Sequence, residues 1–218
     1  MSAVGVEHAP SVVTPVTLEG HWVRLEPLGR SHAAGVLAAG SGSRDTYRFT
    51  LVPGTAAETA AYIDGALAEQ DAGRALPFAT VDRARGVVVG CTRLFNIEFW
   101  PWPPGNANQR GSERPDVVEI GWTWLAGAAQ RTPINTEAKL LMLAHAFDHW
   151  RVHRVSLMTD ARNQRSRSAI LRLGARFDGV LREARPASDG AIRDTAAFSI
   201  LEAEWREVRG NLEARLKQ

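Results

Sequence analysis

Two adjoining segments carry the residue types most able to do chemistry. Glu119-Ile120-Gly121-Trp122-Thr123-Trp124-Leu125 is followed, five residues on, by Gln130-Arg131-Thr132-Pro133-Ile134-Asn135-Thr136-Glu137-Ala138. The first reads as a strand and the second as a tight loop that opens a helix. The first N–H groups of a helix lack intrahelical acceptors, and its dipole places partial positive charge there. A loop wrapped on such an end can hold a phosphate or diphosphate. The same pattern also suits an ordinary strand-to-helix connection with a good cap, and the residues alone leave both readings open. No Gly-x-Gly-x-x-Gly or Walker pattern occurs, which disfavours a dinucleotide fold or a P-loop NTPase.

Other reactive residue types fall into weaker patterns. His145, His149 and His153 span a helix and the next strand, and no carboxylate or cysteine joins them at ligand spacing, so no metal is expected. Cys91 lies in an apolar run and reads as core rather than nucleophile. Arg162, Arg165, Arg167 and Arg172 could meet a phosphate-bearing ligand or form a solvated helix face.

The elements that must position these residues follow from periodicity and turn signals. Residues 17–28 alternate as a strand, with Val23 and Leu25 on one face and Trp22 and Arg24 on the other. Ser31 is the expected N-cap of a short helix reaching residue 39. A second helix is expected over 56–70, with Ala60, Ile63 and Leu67 on its inner face. Residues 76–81 and 87–99 make a hairpin. The stretch 100–116 breaks the pattern with four prolines, two glycines and two asparagines. Residues 117–125 form a strand and 136–150 a helix, whose Leu140, Leu143, Ala144 and Phe147 make an apolar stripe. A strand over 152–159, a helix over 163–173 stopped by Gly174, strands over 176–185 and 191–201, and an amphipathic helix over 202–216 complete the chain. This order predicts an α/β class with one mixed sheet flanked by helices.

Composition sets the frame. The 218 residues are 44% hydrophobic and 23% charged, enough for one domain with a sizeable core. Residues 1–15 read as a flexible leader without a secretory signal, and 16–218 as the domain, with 100–116 as an insertion and 202–218 carrying a final helix. Lys139 and Lys217 are the only lysines, and the formal net charge is +2, too small to predict nucleic-acid binding. No apolar run is long enough to span a membrane. The single cysteine fits a cytoplasmic protein.

The strand at 119–125, the segment 130–138, and Thr159-Asp160-Ala161-Arg162-Asn163-Gln164-Arg165-Ser166 followed by Leu173-Gly174-Ala175 resemble the GCN5-related N-acetyltransferases, closest to the RimJ/RimL type. The resemblance spans residues 17–201, with its best motifs between Glu119 and Phe177. It implies a mostly antiparallel sheet with two parallel strands splayed apart, ending near Leu125 and Thr159. Main-chain donors of Gln130, Arg131, Thr132, Ile134, Asn135 and Thr136 would wrap the diphosphate of acetyl-CoA. Trp124 and Leu125 would pair with its pantetheine arm, with Asn163 and Ser166 close by. The resemblance further implies direct transfer: a neutral amine attacks the thioester carbonyl, a strand N–H holds the oxyanion, and coenzyme A leaves as a thiolate.

Within that resemblance Glu119 matches a general-base position, the alternative being a strand residue in a salt bridge; Asp178 and Glu183 are weaker candidates. Ser166 matches a serine close to the reacting sulfur. The chain departs from the family pattern at Arg131 and Pro133, where glycine is usual, at Asn135, where glycine or alanine is usual, and at Ile170, where many relatives place an acidic tyrosine. Proline supplies no N–H, and Ile170 leaves Ser166 or water to protonate the thiolate. Trp122 and Trp124 read as core aromatics or as a wall of the acceptor pocket. Trp100 and Trp102 read either as a surface excursion or as a lid over the acceptor. The expected acceptor is a peptide N-terminus or a small amine metabolite or antibiotic. A homodimer is expected, with no membrane or nucleic-acid partner. Two alternatives stand: a non-catalytic acyl-CoA-binding module, and transfer of a longer acyl group such as succinyl.

Overall fold

The computed structural model describes residues 13–218; residues 1–12, most of the expected leader, lie outside the described residues. An eight-stranded sheet runs in the order β1-β2-β3-β4-β5-β6-β8-β7. Its strands are β1 (Leu18–Glu19), β2 (Val23–Pro27), β3 (Ala75–Asp82), β4 (Val87–Glu98), β5 (Val117–Leu125), β6 (Arg154–Asp160), β7 (Arg176–Pro186) and β8 (Ile192–Leu201). Among the described residues only β5 and β6 pair in parallel. The helices are α1 (Ala33–Gly40), α2 (Ala56–Asp71), α3 (Pro133–Ala144, continued by a wider π-helical stretch over His145–Trp150), α4 (Gln164–Arg172) and α5 (Glu202–Leu216).

Alternation along the strands splits the core into two layers. On one face Val118, Ile120, Leu157 and Phe198 meet Leu143 and Trp150 of α3, Ile170 of α4 and Trp205 of α5. On the other, Ala79, Cys91 and Trp124 meet Val36 of α1 and Ile63 and Ala66 of α2. Burial pushes the Cys91 thiol up to about 12, so it stays protonated and serves as core.

The structure corrects several boundaries. The strand expected over 17–28 is two strands folded on each other, because residues 20–22 form a tight turn closed by the Gly20 N–H donating to the Val23 carbonyl at 2.8 Å. Ser31 caps nothing: a 3-10 turn over Arg30–His32 precedes α1, and the Gly29 N–H donates to His32 Nδ1 at 3.1 Å. In α2 the buried residues are Thr59, Ile63 and Ala66, with Ala60 exposed; the Thr59 hydroxyl can be buried because it donates to the Thr55 carbonyl at 2.8 Å. α3 begins three residues earlier than expected, with Pro133 at its first position and Thr132 as N-cap.

α3 also buries two charges. The carboxylate of Glu137 accepts the N–H groups of His21 at 2.7 Å, Trp22 at 2.7 Å and Val23 at 2.8 Å. Gly20 is required beside it, since a Cβ there would collide with that carboxylate. The first turn of α3 is thereby tied to the β1–β2 turn. Glu137→Ala leaves three N–H groups without their acceptor, and charge-assisted bonds of this kind are worth about 1.5–3 kcal/mol each, not additively. A loss of about 3 kcal/mol or more is expected in urea unfolding.

Candidate functional site

β5 and β6 pair over three residues only: Val117 with Arg154, Val118 with Val155, and Glu119 with Ser156. Beyond Glu119 each strand follows its outer neighbour, β5 with β4 as far as Leu125 and β6 with β8 as far as Asp160. The two strands therefore diverge and leave a cleft whose closed end is the Glu119–Ser156 pair.

Glu119 is 4% exposed and accepts a hydrogen bond from Asn96 Nδ2 at 2.8 Å. Burial raises its pKa above the usual 4.5, opposed by that hydrogen bond and by the charges of Arg185 and Arg193. A bulge in β5 follows: Arg93 lies opposite Gly121 and Cys91 opposite Trp124, so β5 carries one residue too many. Trp122 absorbs the excess with a left-handed φ of 52°. The bulge flips the alternation, so Trp124 joins Glu119 on the α1/α2 face rather than continuing the face of Val118 and Ile120. Trp122 is 43% exposed, whereas Trp124 is 4% exposed and stands against Tyr47 and Tyr62.

The open end of the cleft is framed by the 130–136 loop and the start of α4. Thr132 Oγ1 accepts the Ile134 N–H at 3.4 Å, and Pro133 has no donor. The N–H groups of Arg131, Thr132 and Asn135 are left with no acceptor among the described residues. The Ile134 side chain is buried in the core, and Thr136 is half-buried. Gln130 spans the opening: its Nε2 donates to the Leu125 carbonyl at 2.8 Å and to Thr46 Oγ1 at 2.9 Å, and its Oε1 accepts from Arg165 at 3.1 Å. Asn163 caps α4 by accepting the Ser166 N–H at 3.1 Å, which sets the Ser166 hydroxyl in the first turn of that helix. On the far side of the loop, a groove of about 700 Å³ is bordered by Arg83, Arg85, Thr132 and Pro133.

The sequence that builds this cleft matches a recognised domain. The family model of the acetyltransferase (GNAT) domain covers residues 23–176. The chain belongs to the GNAT family. Among solved structures, a GCN5-related N-acetyltransferase from Brucella melitensis is 31% identical, with a TM-score of 0.78 over 93% of this chain and 86% of that one. A structure from T. thermophilus assigned as an acetyltransferase is 34% identical, with a TM-score of 0.74 over 93% and 98%. Mycobacterium smegmatis RimJ in complex with CoA-disulfide shares the fold at 22% identity, with a TM-score of 0.75 over 93% and 96%. No curated protein matches the chain by sequence.

In this GNAT domain the tryptophans of the insertion are fixed at the opposite end of the sheet from the 130–136 loop. Asp116 accepts from the Trp100 N–H and from Trp102 Nε1, both at 2.7 Å, and Trp100 stacks on His153 with ring centroids 5.8 Å apart. Both anchors immediately precede the paired starts of β5 and β6, so the structure brings Trp100 and Trp102 to Asp116 and His153. Asp178 is held by Arg154 at 2.9 Å and by Ser199 Oγ at 2.8 Å. Among the described residues no group of three or more His, Cys, Asp or Glu is placed to hold a metal.

Sequence reasoning missed Asn96, Arg93 and Tyr62, which surround Glu119 and Trp122. The guanidinium of Arg93 lies 4.9 Å from the Tyr62 ring centroid and 4.4 Å from that of Trp122. A charged residue inside the apolar run 87–95 was the available signal. Sequence reasoning also missed Lys139, which is buried behind the bulge and donates to Thr123 Oγ1 at 2.6 Å and Thr92 Oγ1 at 2.9 Å. No carboxylate pairs with it among the described residues, and burial lowers its pKa to about 7.

The loop and the lysine each make a measurable demand on stability. Arg131 holds a left-handed φ of 62° where glycine costs nothing, so Arg131→Gly is expected to gain about 0.5–1 kcal/mol in urea unfolding. The unfolded chain keeps the Lys139 proton to about 10.5 and the folded chain only to about 7. Stability should therefore rise with pH across that window and stay flat with respect to this group below it. Lys139→Met is expected to be more stable at pH 7 and to lose that rise in pH-dependent denaturation.

Proposed function

We propose that this GNAT domain transfers the acetyl group of acetyl-CoA to a primary amine, with Glu119 as general base. The position of Glu119 at the last paired residue before the strands diverge carries the reading. A donor arm entering the cleft from the 130–136 loop would bring its thioester to that closed end. The residues at the mouth fit a diphosphate: the N–H groups of Arg131, Thr132 and Asn135 have no acceptor among the described residues, and Arg131 brings a guanidinium to the same loop. Acetyl-CoA would supply the activated acyl group there.

The protein's part is to hold a proton and an oxygen. Amines are mostly protonated at neutral pH, with pKa values of about 8 for a peptide N-terminus and 10.4 for lysine. A carboxylate with a raised pKa is a better proton acceptor than an exposed one. The irregular backbone at Trp122 supports an N–H of β5 as the oxyanion donor. With Ile170 buried where a tyrosine acid would stand, Ser166 or water is the proton source for the departing thiolate. Trp122 is the exposed aromatic on the Glu119 face and is proposed to line the acceptor pocket, in place of Trp100 and Trp102. The acceptor is a peptide N-terminus or a small amine.

Pro133, which removes one main-chain donor, keeps a non-catalytic CoA-binding module as the second reading. Glu119→Gln separates the two. The transferase reading expects kcat to fall by about 10²–10³-fold, the usual worth of a positioned base, with coenzyme A affinity kept. Unchanged turnover, followed as free thiol, removes the base assignment; no turnover in the native protein with any amine favours the second reading. The acid limb of kcat/KM should lie above 4.5, the ordinary carboxylate value, and vanish in Glu119→Gln.

A further inference from the structure

β7 and β8 do not keep one register. Leu181 lies opposite Thr195, and continuing that register would set Glu183 opposite Arg193 as a cross-strand ion pair. Instead the register shifts between Leu181 and Arg185, and Arg185 lies opposite Arg193. Glu183 absorbs the extra length in a left-handed conformation, φ 47°, and its N–H donates to Asp194 Oδ1 at 2.9 Å. The bulge thus discards an available ion pair and faces two guanidiniums across adjacent strands, an arrangement that costs free energy.

Within the described chain no direct contact offsets that cost, and the charges of Asp160 and Glu119 reduce it only from a distance. Neither arginine has an ion pair, the hydrogen bond of Arg185 goes to Met158 Sδ at 3.7 Å, and Arg193 Nε is buried without an acceptor. The neighbouring acids are engaged elsewhere. Arg162 holds Asp160 through both oxygens and also binds Asp189; Asn96 holds Glu119, and the Glu183 N–H holds Asp194. Burial and the charge of Arg185 lower the pKa of Arg193, opposed by the charges of Asp160 and Glu119. Arg93 differs, since the rings of Tyr62 and Trp122 accommodate its charge.

The pair lies on the acceptor side. Arg193 is two residues before Thr195, the cross-strand partner of Asp160, and alternation puts Arg193, Arg185, Asp160 and Met158 on the face that carries Glu119. The charges of both arginines act on Glu119. Beyond them the β7–β8 turn reaches the α1–α2 connection, where Ser188 Oγ donates to the Arg48 carbonyl at 2.8 Å.

We infer that Arg185 and Arg193 form an oxyanion-binding subsite for the acceptor, so that the amine substrate carries a carboxylate or a phosphate. The inference rests on the reading that Glu119 receives the amine on this face. Bidentate guanidinium geometry suits either oxyanion.

The test compares matched amines by thiol release from acetyl-CoA: alanine against alaninamide for a carboxylate, and phosphoethanolamine against ethanolamine for a phosphate. The native protein is expected to favour the anionic member of at least one pair by about tenfold or more in kcat/KM, the scale of charge-assisted hydrogen bonds. Arg193→Gln and Arg185→Gln should abolish that preference, keep the KM for acetyl-CoA within about twofold, and leave Tm unchanged or raised. Equal use of both members of each pair overturns the inference, as does a variant whose defect lies in the KM for acetyl-CoA, which would assign the arginines to the donor's phosphates. Should no amine support thiol release, which defeats the transfer reading itself, thermal shifts with the same four compounds decide the subsite. Stabilisation by an anionic member in the native protein but not in Arg193→Gln supports it, and its absence overturns it.

Discussion

Between β5 and β6 the hydrogen-bond ladder lasts three residue pairs and then stops, and the rest of the site depends on that interruption. Each strand is committed to an outer neighbour along its whole length, so the sheet stays intact while its middle opens. Main-chain groups facing the gap have lost strand partners in the interior of a sheet, where unpaired groups are costly. An extended ligand bearing its own amides would offset that cost. The same divergence sets Glu119 at the closed end and the loop before α3 at the open one, so a carboxylate and an open helix N-terminus stand at opposite ends of one cleft.

Keeping this geometry requires charges in unusual places. Glu137 anchors the first turn of α3 through three main-chain N–H groups, which fixes where the loop sits relative to the sheet. Two residues on, Lys139 supports Thr123 from behind the β5 bulge without a counter-ion. A buried, unpaired amine is a burden on stability, and the bulge it supports aims Trp122 and Trp124 towards the face of Glu119. Stability given up to hold a backbone irregularity is a recurring mark of functional sites. The second irregularity, in β7, sits at the other side of the same face.

Much of the fold could be read from the sequence because periodicity reports burial. β5 and α5 have the bounds expected of them; the mixed sheet follows from the order of elements, and its splayed parallel pair from the family resemblance. The missed boundaries have physical causes. The 17–28 run was split by a carboxylate 115 residues away from Trp22, which no local pattern shows. α3 starts earlier than its pattern suggests because Pro133 and Asn135 read as loop residues, although proline is well suited to a first helical position. Within the site, the 130–136 loop stands out by its place between a strand and a helix, and Glu119 through the family resemblance. Arg93, Asn96, Arg185 and Arg193 do not, because their roles depend on three register shifts that alternate patterns cannot encode.

On the proposed function, the gap between β5 and β6, closed by Glu119 and mouthed by the loop before α3, receives the thioester donor. Amide hydrogen exchange of the native protein with and without coenzyme A tests it most directly. Slowed exchange is expected to be confined to residues 120–125, 131–136 and 163–166, with little change along β1 to β3. Protection elsewhere, or none at saturating coenzyme A, would contradict it.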